Sequence, residues 1–578
     1  MLTLDKVPLS TLTDLATEHG VCSRPILNKV TDAENAGAER IVAVACGHTL
    51  ASFCPACADK NRRLRMHQCR EGWHLEKEPL TPQLMAQAFA AAHRGSVHAR
   101  PPWWLHHPSL FAPIAMRAVL RRVVLSMITL HALTRREPET PRRTKRRVRS
   151  TRRRPDVPKL PKMDASQSTV GRAFRANGRV YRPSMFLTLT LRSYGPVHNI
   201  PKGRPCGCGK HHRIDDPVLG TPLDPANYDY RRAALDALHF AKLVDRFWQN
   251  FRRCAGYKAQ YFATVEPQKR LAPHLHAAVR GTIPRKIVEQ IAAATYHQLW
   301  WPQMETPSYV GDRLPLWEQV LETDDGKDQL VWRLIDPDTG QLLPTWEEAV
   351  DQVGENPAHL LQLGTVDYQG IWGGNTEGVD RTVGYLTKYL NKSTAQTYAD
   401  EDGQLHPDQE KHLVRLHQEV RWLPCSPSCA NWIRYGVQPK NAIGKEIPGQ
   451  CESKAHDREH LGIGGRRVLV SRQWTGKTLK HHRADRAEVV RQTLAAAGVE
   501  MDDQHQFGNR QTTADGKPRF TWTPVRRDWD EDIPTLKEVL AYSINTRIRW
   551  RTEYKRAKTR AGPSPGTDSA TQRAATAA

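Results

Sequence analysis

The sequence predicts an α+β protein: a sheet with helices packed on it, flanked by small cysteine-bearing modules towards both ends. Segments of strand and helix character alternate in the order β-α-β-β-α-(β)-α between Met185 and Lys392. All the cysteines except Cys254 fall into three short clusters. A basic run separates the first cluster from the sheet region.

Composition sets the outer bounds. A chain of 578 residues calls for two to four domains rather than one core. Lys+Arg 85 against Asp+Glu 61 leaves a net charge of +24, which points to a polyanionic partner, nucleic acid before membrane. Hydrophobic residues at 39% suffice for cores and exclude a wholly disordered chain. The longest apolar stretch, Phe111 to Leu133, is interrupted by Arg117, Arg121, Arg122 and His131, so no membrane span is expected. The N-terminus lacks the basic start and apolar run of a secretory signal. A cytoplasmic chain with reduced cysteines is therefore expected.

Taken in order, residues 1–75 read as a small module stapled by zinc. Cys54-x2-Cys57 forms one knuckle, completed by Cys46 with Cys22 or His48, and with Cys69 and His74 beyond. Residues 76–134 read as helical, over Leu80–Ala92 and Met116–Thr134. The 135–160 segment is a linker or arm. Its first part, 135–154, holds 11 basic residues against 2 acidic, cannot fold alone, and suits phosphate binding by counterion release.

Met185–Thr190 alternates as a strand, and Tyr228–Cys254 carries the apolar stripe of a long helix, with Leu235, Leu238, Val244, Phe247, Trp248 and Phe251. Gln260–Val265 and His274–Val279 read as strands joined by a polar turn, followed by a helix over Ile283–Trp301. An insertion at 302–360 carries a hairpin with Asp336–Gly340 as its turn. A strand at Leu361–Tyr368 and a short helix at Thr382–Lys392 complete the region. Cys206, Cys208, His211 and His212 lie in a Gly/Pro-rich loop that either binds zinc or is simply basic. Cys425, Cys429, Cys451 and His456 offer a second four-ligand zinc set. None of these clusters suits a catalytic metal, because each has enough ligands to close the coordination shell.

Two motifs carry chemistry. His274 and His276, two apart on a strand, face the same way, and Glu266 closes the preceding strand across a turn. Two imidazoles and a carboxylate with open positions suit Mg2+ or Mn2+ acting on phosphate. Tyr385, Lys388, Tyr389 and Lys392 would share one face of the 382–392 helix, with Leu386 and Leu390 packing elsewhere. A phenol beside ammonium groups is a plausible covalent nucleophile. Trp474–Thr478 imitates a phosphate loop, but Ser471 stands where the first glycine is required.

Together, the Phe186–Thr190 strand, the His-Leu-His motif and the later Tyr-Leu-Thr-Lys-Tyr motif resemble motifs one, two and three of the HUH endonucleases that start rolling-circle replication. The tyrosines follow the histidines, as in the Rep class, and no tyrosine precedes Tyr181. The wider similarity is to replication initiators of actinobacterial plasmids and integrative elements and spans most of residues 20–490. It covers the CPAC module, YDYRRAALDALHFAKLVDRFWQN, VEPQKRLAPHLHAAVRG, GYLTKYLNKS and GIGGRRVLVSRQWTGKTL.

The resemblance implies an HUH-like antiparallel sheet with flanking helices as a nicking-joining domain at 181–395. A zinc-containing DNA-binding region at 396–560 would follow, and the Gly/Ser/Thr/Ala-rich composition of 561–578 reads as a disordered tail. It implies His274, His276 and Glu266 as ligands of the divalent metal, and Tyr385 or Tyr389 as the group that forms a 5′-phosphotyrosine and frees a 3′-OH primer. Tyr385 fits a Y-x-x-K form and Tyr389 a K-Y form, so both stay open. Lys388 would stabilise phosphate charge, and Arg142, Arg143, Arg146, Arg147 and Lys392 would contact DNA. Double- and single-stranded origin DNA, a host helicase and a host polymerase are the implied partners, at the nucleoid or plasmid. Two other readings remain: a paired-tyrosine single-strand transposase, and a nonenzymatic zinc-containing DNA-binding regulator.

Overall fold

The computed structural model describes residues 7–35, 39–73, 153–176, 179–324, 327–373, 377–388, 390–393, 404–464, 467–496, 512–525 and 533–561. The helical readings within 76–134, the arm with Arg142, Arg143, Arg146 and Arg147, and also His74, Tyr389 and the tail from 562 lie outside the described residues.

The chain opens with α1 (Leu9–Glu18), the antiparallel pair β1 (Ile26–Asp32) and β2 (Glu39–Val44), and α2 (Pro55–Trp73). The central region begins with β3 (Phe174–Ala176) and the long β4 (Arg179–Leu191), followed by α3 (Tyr230–Ala255). The hairpin of β5 (Tyr261–Pro267) and β6 (Pro273–Arg280) leads to α4 (Arg285–Ala293) and β7 (Tyr296–Leu299). Next come β8 (Leu316–Asp324), β9 (Lys327–Ile335), α5 (Trp346–Asp351), β10 (His359–Gly373) and α6 (Glu377–Thr387). Last are α7 (Pro407–Trp422), β11 (Val468–Val470), α8 (Leu479–Ala496), β12 (Phe520–Pro524) and α9 (Leu536–Ala561).

The main sheet runs β11-β5-β6-β4-β10-β7, with β3 paired to β4, and every pairing is antiparallel. The fold is therefore the mixed helix and antiparallel sheet that the pattern of segments predicts. Helix α3 forms where expected: the Asp229 side chain accepts from Arg232 N–H at its start, and Gly256 takes a left-handed φ of 77° to end it. Its Leu243, Phe247 and Phe251 pack on Leu187, Leu189, Leu275 and Ala277, each burial stabilising by roughly 1.5–3 kcal/mol.

All eight residues of β6 are buried, so both sheet faces are covered. Leu275, Ala277 and Val279 point to α3, while Ala278 and Phe262 join Val379, Val383 and Leu386 of α6, Trp73 of α2 and Trp474 on the other side. Alternation then places His274 and His276 on the α6 side of the sheet. Arg280 fastens that layer: its guanidinium donates to the carbonyls of Gly72 and Trp474 and, at 2.7 Å, to Gln260 Oε1.

Three local expectations change. The helix read over Ile283–Trp301 ends at Ala293, and Tyr296–Leu299 forms an edge strand against His359–Gln362. Thr295 turns its hydroxyl back to the Ile291 carbonyl (2.7 Å), and the open edge of β10 then captures the chain. The helix read over Thr382–Lys392 instead spans Glu377–Thr387, because Val379, Val383 and Leu386 form the stripe that the sheet buries. Asp336–Gly340 does turn the chain, returning Leu343 N–H to the Leu334 carbonyl. However, the long hairpin of the insertion closes between Asp324 and Lys327.

The first and last described segments meet. Strand β12 pairs with β1 to complete a three-stranded sheet, and Leu540, Ala541 and Ile544 of α9 pack on Leu12 and Ala16 of α1. Arg519 grips Asp32 with two nitrogens at 2.9 and 2.8 Å. This pairing crosses the segmentation into a 1–75 module and a 396–560 region. Among the described residues, no helix is long and apolar enough to cross a membrane.

Candidate metal and tyrosine site

On the α6 side of the main sheet, one row of residues runs across four strands. Asp367 on β10 stands opposite Thr188 on β4, which stands opposite His276 on β6, which stands opposite Thr264 on β5. One rung on, Glu266 faces His274 directly. This register brings a carboxylate oxygen and one nitrogen from each imidazole within 4.8 Å of one another.

All three side chains are buried, and Glu266 Oε1 has no hydrogen-bond partner. Burial pushes the Glu266 carboxyl up to about 7 against the pull of Arg467 and Lys388. Burial likewise drives His274 down to about 3, helped by His276, and His276 down to about 4. Two neutral imidazoles and an unsatisfied buried carboxylate form a donor set that fits a hard or borderline divalent cation.

His276 is fixed on every side. Its Nδ1 lies 2.9 Å from Thr188 Oγ1, its Nε2 lies 2.6 Å from His274 Nε2, and its ring stacks on Phe186 with centroids 5.6 Å apart. If Nδ1 carries the proton and donates it to Thr188, Nε2 is free to ligate, as second-sphere partners of metal-bound histidines commonly arrange. The Tyr385 hydroxyl approaches the same Nε2 at 3.3 Å, from a ring that is 45% exposed at the end of α6.

The i, i+3, i+4 and i+7 spacing predicts Tyr385, Lys388, Tyr389 and Lys392 on one helical face. The structure corrects this: α6 ends at Thr387, so Lys388 and Lys392 follow it in the turn beyond. Lys388 still acts on Glu266 electrostatically, and the Lys392 carbonyl accepts from Arg467. The next turn is tied to the N-terminal cysteine region, where Ala51 N–H donates to the Asn391 carbonyl at 2.7 Å. Thr188 and Asp367 were not singled out from the sequence, although Thr188 lies within the alternating 186–190 strand.

The cysteines gather in space. Cys22, Cys46, Cys54 and Cys57 form one group, with Cys46–Cys57 at 3.7 Å and Cys22–Cys54 at 3.8 Å. These sulfurs are too far apart for disulfides and spaced as two edges of a thiolate tetrahedron. Cys22 fills the place left open between it and His48, whose ring instead stacks on Phe53. Cys69 is buried in the core away from the group. Cys425, Cys429, Cys451 and His456 form another group, and His456 Nδ1 lies 2.8 Å from the Val420 carbonyl while its Nε2 faces Cys429 at 3.5 Å. In the middle loop Cys206, Cys208 and His212 come together with His198, whereas His211 stays outside.

Elsewhere Lys60 and Arg63 of α2, Arg483 and Arg486 of α8, and Arg547 and Arg551 of α9 converge. Desolvation and the charges of Arg547, Arg483 and Arg486 hold the Lys60 ammonium below its ordinary value. Desolvation with neighbouring arginines does the same to Arg486 and Arg547. A like-charged patch assembled from three helices suits a phosphate backbone.

The family model described as replication initiator protein, pSAM2 (RepSA) matches residues 9–178 and 168–535. A replication initiator protein of Streptomyces ambofaciens is 40% identical over 111 residues, covering 17% of this chain and 24% of that relative. No solved structure matches the chain.

Proposed function

The chain belongs to the RepSA family of replication initiator proteins, and from that premise we propose that it binds its origin and nicks one DNA strand through attack by Tyr385. The observation that carries this reading is the Tyr385 hydroxyl 3.3 Å from His276, beside a buried set of Glu266, His274 and His276. Those three residues would hold Mg2+ or Mn2+, whose chemistry there is Lewis-acid polarisation of a backbone phosphate.

The chain's own residues do the rest. Tyr385 Oη forms a bond to phosphorus as the bond from phosphorus to the 3′ oxygen breaks. The phenolic proton is replaced by the 5′-phosphoryl group, and the departing 3′ oxygen takes up a proton. The products are a 5′-phosphotyrosine and a 3′-OH that primes synthesis. Thr188 orients His276, and Phe186 limits its rotation. Lys388 offsets charge on the phosphate. Tyr389 is the natural second tyrosine for resolving the displaced strand.

The Cys22/Cys46/Cys54/Cys57 and Cys425/Cys429/Cys451/His456 groups would hold structural Zn2+. The arm with Arg142, Arg143, Arg146 and Arg147, together with Lys392 and the three-helix patch, would engage duplex and single-stranded origin DNA. Host helicase and polymerase would extend the primer, in the cytoplasm at the plasmid.

The test is cleavage of supercoiled DNA carrying the protein's own locus, with Mn2+ or with EDTA, by wild type, Tyr385→Phe and Tyr389→Phe. A metal-dependent nick with protein on the 5′ end, lost in Tyr385→Phe, is expected. Loss in Tyr389→Phe alone would move the nucleophile to Tyr389. Tight binding without a nick under any metal would overturn the enzymatic reading in favour of a DNA-binding regulator.

A further inference from the structure

The structure assigns a further metal site, in the 196–223 loop, to His198, Cys206, Cys208 and His212, and we propose that it binds one zinc ion. Sequence spacing offers His211 and His212 as the imidazoles of this loop. The fold selects His198 instead, from the other limb.

That limb is held by backbone bonds. His198 N–H donates to the Thr221 carbonyl (2.9 Å), Gly220 N–H donates to the His198 carbonyl (2.8 Å), and Val197 bridges Pro222. The opposite limb is a tight turn, with Gly209 N–H donating to the Cys206 carbonyl at 2.8 Å and Gly209 at φ +84°. The turn aims two sulfurs at the histidines.

The donor spacings lie within about 0.1 Å of those of a coordination shell. His198 Nδ1 and His212 Nε2 are 3.3 Å apart, Cys208 Sγ and His212 Nε2 3.2 Å, and Cys206 Sγ and His198 Nδ1 3.9 Å. A zinc tetrahedron with nitrogen and sulfur ligands has edges of about 3.3–3.8 Å. With Nδ1 engaged by Asp216, the one lone pair of His212 Nε2 faces both an imidazole nitrogen and a sulfur, a convergence of donors that a single cation satisfies.

The outer sphere is also in place. Asp216 Oδ2 lies 2.7 Å from His212 Nδ1, fixing the tautomer that leaves Nε2 to ligate. Asn199 N–H points at Cys206 Sγ from 3.5 Å, which favours thiolate. The loop so stapled lies against the β5–β6 turn. A Cβ on Gly220 would sit 2.3 Å from Lys269 Cβ, between Glu266 and His274 in sequence.

The test is metal analysis of the full chain, read as a difference so that the other cysteine groups cancel. His198→Ala and Cys208→Ser should each carry one zinc equivalent less than wild type, and His211→Ala should carry the same as wild type. His198→Cys, which replaces one ligand atom by another, should keep the ion, so a His198→Ala chain that fails to fold does not decide the matter. Trypsin supplies a second readout: cleavage after Lys202, Lys210 or Arg213 should accelerate several-fold in Cys208→Ser and His198→Ala, and stay at the wild-type rate in His211→Ala and His198→Cys. Unchanged zinc in both Cys208→Ser and His198→Ala, or loss of an equivalent in His211→Ala, would overturn the assignment.

Discussion

The hydroxyl of Tyr385 lies 3.3 Å from Nε2 of His276, across 109 residues of sequence. The contact exists because α6 lays its Val379, Val383 and Leu386 stripe on the sheet, leaving Tyr385 at the rim above β6. The proposed nucleophile is therefore set by helix packing, while the imidazole it meets is set by strand register.

The bond between Thr188 and His276 gives a first prediction. Thr188→Val keeps the shape of the side chain but removes the 2.9 Å partner of His276 Nδ1. Divalent-metal affinity should fall roughly 10- to 100-fold, as for other second-sphere losses, and Thr188→Ser should restore most of it. Titration with Mn2+ followed by electron paramagnetic resonance measures this directly. Equal affinity in wild type and Thr188→Val would remove Thr188 from the site.

Gly72 tests the layer behind the site. A Cβ there would lie 2.2 Å from Trp474 Cδ1, in the middle of a fully buried ring. Gly72→Ala should cost about 1–3 kcal/mol through overpacking. Denaturant melts should show it, together with a change in buried tryptophan emission.

The contact of α2 with Lys477 and the first turn of α8 should depend on acid. The His482 ring and Lys477 ammonium, 3.0 and 2.8 Å from the Glu71 carboxylate, hold that group down to about 2 against the burial that raises it. A depressed carboxylate contributes stability that is fully present above its unfolded value of 4.5 and is lost as pH falls towards 2. Between pH 5.5 and 3, wild type should lose about 1 kcal/mol more than Glu71→Gln, after allowance for screening. Parallel pH profiles for the two chains would contradict this.

The union of the first and last described segments predicts a local effect at a distance in sequence. Leu540 is fully buried against α1. Leu540→Ala should cost about 2–5 kcal/mol and speed amide hydrogen exchange in Leu9–Glu18, while Tyr230–Ala255 stays protected. Uniform acceleration across both helices would mean that the terminal unit does not open separately.

Much of the site can be read along the chain. His274 and His276 share a face because successive strand residues alternate, and the stripe in 230–255 specifies its own helix. Cys54 and Cys57, or Cys425 and Cys429, announce a group by their spacing. His198 could not be found this way, since it lies eight residues before Cys206 on a separate limb positioned by backbone bonds to 220–221. The edge strand 296–299 was hidden for a similar reason: its residues tolerate helix until β10 offers a partner.

The sequence by itself determined the α+β class, the paired histidines, the cysteine groups in outline, the basic surplus and the tyrosine motif, because these rest on composition and periods of two to four residues. Tertiary structure decided that Glu266 stands opposite His274, that α6 begins at Glu377, that His198 replaces His211 and that β12 closes the N-terminal sheet. Each of those depends on which distant segment supplies a hydrogen-bonding edge or an apolar face, and only the folded chain settles that competition.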